Sequence, residues 1–207
     1  MFNLPVKTLH VNPLSYDKRG VISCIEQNYH QYPSRNVRPS MGTLHHCYAD
    51  FDNPNFAEPD WDSLRPVYAK VINEYLASMN LVSGCKFDFG IVNYSAYGDT
   101  ISNMRSHFHT ESDFSAVHYI QFDERVHTPT RFENPFKWGD YQNVMRPHLE
   151  KCVVNNLSNS WTCDWWELET HEDDIVFFPA LLPHEVMAQK KSDKLRITIA
   201  LNISIAV

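Results

Sequence analysis

Three histidines and one arginine stand at spacings that suit metal and anion chemistry. In the stretch from Tyr97 to Glu111, His107 and His109 are separated by a single residue. In a strand, residues i and i+2 point to the same side, so both imidazoles can reach one metal ion. Glu111 continues that face if the strand does. A neutral imidazole nitrogen binds Fe(II), Zn(II) or Cu(II) at about 2.0–2.2 Å, and a nearby carboxylate stabilises the bound cation. Two ligands make a weak chelate, so a third is needed. His184 supplies a candidate: it follows the apolar run Ile175–Phe178 and stands in a turn framed by Pro179 and Pro183. Taken alone, H-x-H is common on solvent-facing edge strands and binds nothing there. It gains weight from His184 and from Arg196-Ile197-Thr198. Alternation along Leu195–Asn202 puts Arg196, Thr198, Ala200 and Asn202 on one face, opposite Leu195, Ile197, Ile199 and Leu201. An arginine on the inner face of a barrel strand is costly without an anion to pair with. Its planar fork suits a carboxylate, and the Thr198 hydroxyl adds a donor. The bland alternative is an arginine at a strand end, facing solvent or paired with a local acid.

These residues need elements to position them. Tyr16–Tyr29 carries Val21, Ile22 and Ile25 at helical spacing, closed by the Tyr32–Pro33 bond. Ser34–Ser40 reads as a loop. Asp60–Asn80 is the clearest helix, with Leu64, Val67, Tyr68, Val71, Ile72, Tyr75, Leu76 and Met79 on one core-facing side. Asp60 or Asp62 can cap it, and Pro66 falls near the first turn. From Lys86 the period shortens to two. Phe87, Phe89 and Ile91 alternate with Asp88, Gly90 and Val92. In Ser115–Phe122, one face holds Ser115, Val117, Tyr119 and Gln121, and the other holds Ala116, His118, Ile120 and Phe122. Trp161–Leu168, Ile175–Phe178 and Leu195–Ile205 read as further strands, with a turn at His171–Asp174. Thr128–Asn159, rich in Pro and Asn, reads as a long insertion or lid loop, with Trp138, Trp161, Trp165 and Trp166 in or beside it. Helices first and short strands afterwards predict a mainly β chain with N-terminal helices, a sandwich or barrel buttressed by those helices. The expected organisation is a single domain over 1–207: helical support over 1–85 and the β core over 86–207, with the insertion at about 128–160.

Composition narrows the partners. In 207 residues, Asp and Glu number 25 and Lys and Arg 18, for a formal charge of −7. That balance argues against nucleic acid, whose binding relies on clustered cations. No apolar run approaches the roughly 18–20 residues of a membrane span, and Met1–Asn12 does not read as a secretory signal. Five cysteines, Cys24, Cys47, Cys85, Cys152 and Cys163, lack C-x-x-C spacing and read as reduced thiols of a cytoplasmic protein. A homodimer stays open.

Four segments over about Lys86 to Val207 resemble the Fe(II)/2-oxoglutarate-dependent dioxygenases, nearest to the prolyl-hydroxylase-like branch and to oxygenases of marine bacteria and phages. They are His107-Phe108-His109, with Tyr97-Gly98 ten residues before it; Ser115-Ala116-Val117-His118-Tyr119-Ile120; Asp173 to His184; and Arg196-Ile197-Thr198-Ile199-Ala200-Leu201-Asn202. The resemblance implies a double-stranded β-helix (jelly roll, cupin-like) with N-terminal helices against the major sheet. It implies Fe(II) held by His107 and His184 and 2-oxoglutarate held by Arg196 and Thr198. Tyr119 and Tyr97 would line the cosubstrate, with Asn93 and Asn202 as further candidates. The implied reaction is hydroxylation of a C–H bond, with release of succinate and CO2, on a peptidyl or free amino acid or a small metabolite.

One departure from the family pattern stands out. The usual Asp or Glu two residues after the first histidine is His109 here. The metal then takes either His107, His109 and His184, the set expected here, or a frame in which Glu111 serves as ligand. Two rival readings stay open: a cupin metalloenzyme that does not use 2-oxoglutarate, and a non-catalytic jelly-roll binding module.

Overall fold

A computed structural model of the chain describes residues 5–31, 44–46 (backbone only), 56–79, 86–98, 100, 102–135 and 163–206. The loop expected over 34–40, Cys47, Cys85, Cys152, His148, Trp138 and Trp161 lie outside the described residues.

Two helices precede most of the strands, as the helical spacing of apolar residues predicts. Strand β1 (Lys7–His10) leads into α1 (Lys18–Gln31); β2 (Leu44–His46) precedes α2 (Trp61–Ala77). Then come β3 (Lys86–Tyr97), β4 (Met104–His107), β5 (Phe114–Gln121), β6 (Thr130–Glu133), β7 (Trp165–Glu167), β8 (Asp174–Pro179), β9 (His184–Val186) and β10 (Arg196–Ala206). Helix α1 stops two residues before Pro33, where the proline disfavours helical geometry at its predecessor. At the start of α2, the Asp60 carboxylate accepts a hydrogen bond from the Ser63 N–H at 3.2 Å, so Asp60 rather than Asp62 is the cap.

The strands form two antiparallel sheets. The major sheet runs β1-β8-β5-β10-β3-β2 and the minor one β4-β9-β6-β7. This is the jelly roll with N-terminal helices that the sequence predicts. Two parts differ: β1 and β2 fall in the segment expected as helical support and form the edges of the major sheet, and Thr130–Glu133, expected within an insertion, is a strand of the minor sheet, paired to β9 through Phe132↔His184. Its four-residue length and the flanking Pro129 and Pro135 hide it from a period-two reading.

Alternation sorts each major-sheet strand into two cores. On the helix side, Tyr68, Ile72 and Tyr75 of α2 pack with Ala116, Ile120, Phe177, Ile197, Ile199 and Leu201. Tyr75 stacks on Phe177 at 4.5 Å between centroids. His118, on the same side, is fully buried against Tyr68. Between the sheets, Tyr119, Phe122, Phe132, Val176, Phe178 and Leu182 form a second cluster. Burying each such side chain contributes roughly 1.5–3 kcal/mol before entropy is counted. The helix-side core thereby fixes the backbone of β5, β8 and β10, and with it the direction of the inward residues that build the site.

Candidate functional site

Strands β4 and β9 bring two histidines together by register: His107 and His184 are paired across the ladder. His109 follows two residues on, and its backbone N–H donates to the Ala180 carbonyl at 2.8 Å, tying it to the β8–β9 turn. One ring nitrogen from each of His107, His109 and His184 falls within 4.8 Å of the others. The Nδ1 of His107 donates to the Arg105 carbonyl at 2.8 Å, and that of His184 to the Leu182 carbonyl at 3.0 Å. A carbonyl only accepts, so both rings carry their proton on Nδ1 and leave Nε2 as the metal-binding lone pair. Burial, reinforced by His107, pulls the His184 pKa down to about 3 and lowers that of His109, which keeps both rings neutral and ready to ligate. Glu111 is exposed and stands apart from the cluster. The three histidines, not the H-x-E frame, are what the fold converges.

Arg196 begins β10 and is completely buried. Its Nε donates to the Thr128 carbonyl at 2.9 Å and one terminal nitrogen reaches the Thr198 hydroxyl at 3.4 Å. The other, Nη2, is buried with no partner, and no carboxylate pairs with Arg196 among the described residues. Aromatic faces surround the guanidinium: its carbon lies 4.6 Å from the Tyr97 ring centroid, 5.2 Å from Tyr119 and 6.0 Å from Phe122. The Tyr119 hydroxyl accepts from the Thr130 N–H at 2.9 Å, so β6 braces that ring. Burial raises the Tyr97 pKa, with the Arg196 charge pulling partly the other way.

Between this end and the triad lies one cavity. Tyr97, Thr198, Asn93 and all three histidines line it, together with Ser95, Ser115, Val117, Thr130 and Phe178. Asn202 is held by the Ser115 hydroxyl, which donates to its Oδ1 at 3.1 Å. Asn93 and Asn202 do not stand beside Arg196: Asn93 is opposite Ala200, and Asn202 is farther along β10. Sequence reading missed Thr128, Phe122 and Thr130. Thr128 and Thr130 fall in the expected insertion, and alternation puts Phe122 on the opposite face from Tyr119, although it closes the same cluster. Ser115 was legible, since alternation puts it on the Tyr119 face. The tryptophans of β7 do not cover the cavity: the Arg131 guanidinium lies 4.7 Å over Trp165, and Trp166 is partly exposed.

The donor set fits both groups that such a site calls for. Three neutral nitrogens suit a divalent first-row metal, and an orphaned N–H on a buried cation suits a carboxylate. A jelly roll with three histidines in one cavity and a buried arginine directly behind two of its lining residues, Tyr97 and Thr198, is the architecture of a metal- and 2-oxo-acid-dependent oxygenase. The chain belongs to the family described as "Putative 2OG-Fe(II) oxygenase", whose model matches residues 96–202. Its members are oxygenases that use Fe(II) and 2-oxoglutarate. Membership sets aside the cupin reading without 2-oxoglutarate and the non-catalytic module.

No curated protein matches the chain. Among solved structures, it is similar to a Pseudomonas putida prolyl-4-hydroxylase, at TM-score 0.54 and 13% identity over 98% of this chain and 93% of that one. It is similar to a Trichoplax adhaerens prolyl hydroxylase in complex with a hypoxia inducible factor oxygen degradation domain peptide fragment, at 0.54 and 11% over 98% and 84%. The carbocyclase SnoK from nogalamycin biosynthesis matches at 0.58 and 9% over 97% and 79%. These likenesses show the fold. No described helix is long and apolar enough to cross a membrane.

Proposed function

We propose that this oxygenase hydroxylates a C–H bond, with His107, His109 and His184 holding the iron and Arg196 and Thr198 holding the far carboxylate of 2-oxoglutarate. The observation that carries the reading is the buried Arg196, whose Nη2 has no partner and which pairs with no acid among the described residues, packed against Tyr97 and Thr198, which line the cavity of the three-histidine cluster. A buried cation left in that state costs several kcal/mol unless an anion completes it. Fe(II) with 2-oxoglutarate supplies O2 activation, coupling decarboxylation to succinate and CO2 with oxidation of the substrate.

The chain's own residues then orient and exclude. Tyr97, Tyr119 and Phe122 pack against the guanidinium and keep water from competing for its donors. Thr198 adds a hydroxyl beside it. Because all three metal-binding side chains are neutral, a bound divalent ion keeps one more unit of charge than in a site with a carboxylate ligand. That charge favours a dianionic cosubstrate. Two of the similar structures are prolyl hydroxylases, which supports an amino-acid side chain, peptidyl or free, among the candidate substrates.

The test is anaerobic addition of Fe(II) and 2-oxoglutarate to the metal-free protein. A weak visible charge-transfer band is expected, followed by succinate formation on admitting O2 with substrate. No band, together with no succinate across a substrate screen, would sink the proposal.

A further inference from the structure

We infer that Gln189 is a positioning residue for 2-oxoglutarate: its buried amide holds the Thr128 backbone and, through it, aims the Arg196 guanidinium. The inference rests on the function proposed above, which puts the far carboxylate of the cosubstrate on Arg196. A guanidinium is planar, so its orientation is set once two of its nitrogens are tied down. Nε donates to the Thr128 carbonyl at 2.9 Å, and one terminal nitrogen reaches the Thr198 hydroxyl at 3.4 Å. The Thr128 bond is the shorter of the two, and together they leave Nη2 as the unpartnered donor. Thr198 is held in the β10–β3 ladder. Thr128 lies in no strand, so its carbonyl needs another support.

Gln189 supplies it. Its Oε1 accepts the Thr128 N–H at 2.9 Å, and its Nε2 donates to the Met187 carbonyl at 2.6 Å. The side chain is buried, and an amide that commits its acceptor and its donor to two backbone groups has one orientation. The Thr128 hydroxyl lies 3.2 Å from the Met187 carbonyl and 3.1 Å from that of Ala188, so the same loop grips Thr128 twice. Pro129 follows and confines Thr128 to extended geometry, so fixing the N–H of Thr128 also directs its carbonyl. His127 braces this segment against the start of β10. Its Nε2 donates to the Lys194 carbonyl at 2.9 Å, and its Nδ1 accepts the Asp123 N–H at 2.9 Å. Neither Gln189 nor Thr128 lines the cavity, so Gln189 acts on the cosubstrate through Arg196. It stands on the loop leaving β9, the strand that begins with His184, and so ties the metal-binding strand to the arginine.

Full-length protein loaded with Fe(II) under anaerobic conditions provides the test, read by the charge-transfer band as 2-oxoglutarate is titrated. Gln189→Met keeps the bulk of the side chain and removes both hydrogen bonds. Its titration midpoint should rise by about tenfold, the scale of one buried hydrogen bond, with metal content at the wild-type level. Gln189→Asn withdraws the same amide by one methylene and serves if the first variant does not fold. It should shift the midpoint the same way, by about threefold or more. Non-additivity is the readout that a merely structural role would not give. In an Arg196→Met background, Gln189→Met should move the midpoint by less than about twofold, because the residue it acts through is gone. Unchanged midpoints in the Gln189 variants overturn the inference, as does an equal further loss on top of Arg196→Met. A fall in metal content matching the loss of cosubstrate also overturns it, by making the loop a support for His184. The wild-type band is measured first: its absence defeats the proposed function, whereas an intact wild-type band with unshifted variants defeats only this inference.

Discussion

Arg196 and Tyr97 are direct partners across the β10–β3 ladder, and the guanidinium carbon lies 4.6 Å from the centre of the phenol ring. A guanidinium packed against an aromatic face is held by the ring quadrupole while its N–H groups stay in plane and available. Two of those groups are committed within the chain, to Thr128 and Thr198, and one is not. The register of a single strand pair thus sets the place of the charge and the ring it packs on.

Replacing Arg196 separates the two halves of the site. Arg196→Met should lower 2-oxoglutarate affinity by about two orders of magnitude, since a charge-assisted bond is worth about 1.5–3 kcal/mol. Metal content per chain should stay at the wild-type level. Arg196→Lys should recover little, because an ammonium cannot satisfy Thr128, Thr198 and a carboxylate at the same time. Titrating cosubstrate against the Mn(II) protein and measuring metal by atomic emission gives both readouts. Equal loss of metal would make Arg196 a structural residue.

Metal binding should depend on all three histidines. His107→Ala and His184→Ala are each expected to weaken Mn(II) or Zn(II) by about a hundredfold or more, as ligand losses do. Glu111→Gln should change affinity less than about twofold, since Glu111 is exposed and outside the cluster. The pH dependence follows from the lowered pKa values. Metal competes with protons; His184, at about 3, is already neutral at mildly acidic pH, and burial lowers His109 from its ordinary value. Fewer than three protons should therefore be released per ion bound between pH 7 and 5. Calorimetry in buffers of different ionisation enthalpy counts them.

Gly98, next to Tyr97, has a steric reason to be glycine. A Cβ there would lie 1.6 Å from the Tyr29 hydroxyl and 2.3 Å from its Cζ. Gly98→Ala must displace Tyr29 of α1 or the end of β3, at a cost of about 1–3 kcal/mol. Because Tyr97 stacks on Arg196, 2-oxoglutarate affinity should fall with stability. Urea titration and cosubstrate titration on the same variant check the pair. A stable variant with normal affinity would show that this contact yields freely.

The site was legible in the sequence to the extent that it sits on alternating strands. His107 with His109, and Arg196 with Thr198, could be assigned to shared faces because a period of two leaves no other choice. His118 could be turned away from Tyr119 by the same rule, and it does point to the helices. What period alone could not show was pairing. Phe132↔His184 and Thr130↔Val186 join β6 to β9, and so bring Thr128 and Thr130 to Arg196 and Tyr119, from a short strand in a proline-framed segment. Asn93 and Asn202 share a face with the pocket residues, yet their distance from Arg196 depends on register, which emerges only once β3, β5 and β10 are docked.

His118 makes the sharpest stability prediction. It is fully buried, its Nδ1 lies 2.9 Å from the Tyr68 hydroxyl, and its Nε2 has no partner. Burial first, then the nearby charges of Lys18 and His10, pull its pKa from 6.5 to about 3. The folded chain therefore keeps this ring neutral, whereas the unfolded chain protonates it below pH 6.5. Stability from this group is complete above pH 6.5 and is lost as the pH falls toward 3, by up to about 1.4 kcal/mol per pH unit. The double variant His118→Leu/Tyr68→Phe removes the titrating ring together with the hydroxyl that would lose its partner. Its urea midpoint should fall less steeply than wild type between pH 6.5 and 4.5, with the metal-free forms compared so that His184 contributes equally to both. Parallel pH profiles for the two proteins would mean that His118 finds a proton acceptor or water in the folded state and titrates near its ordinary value.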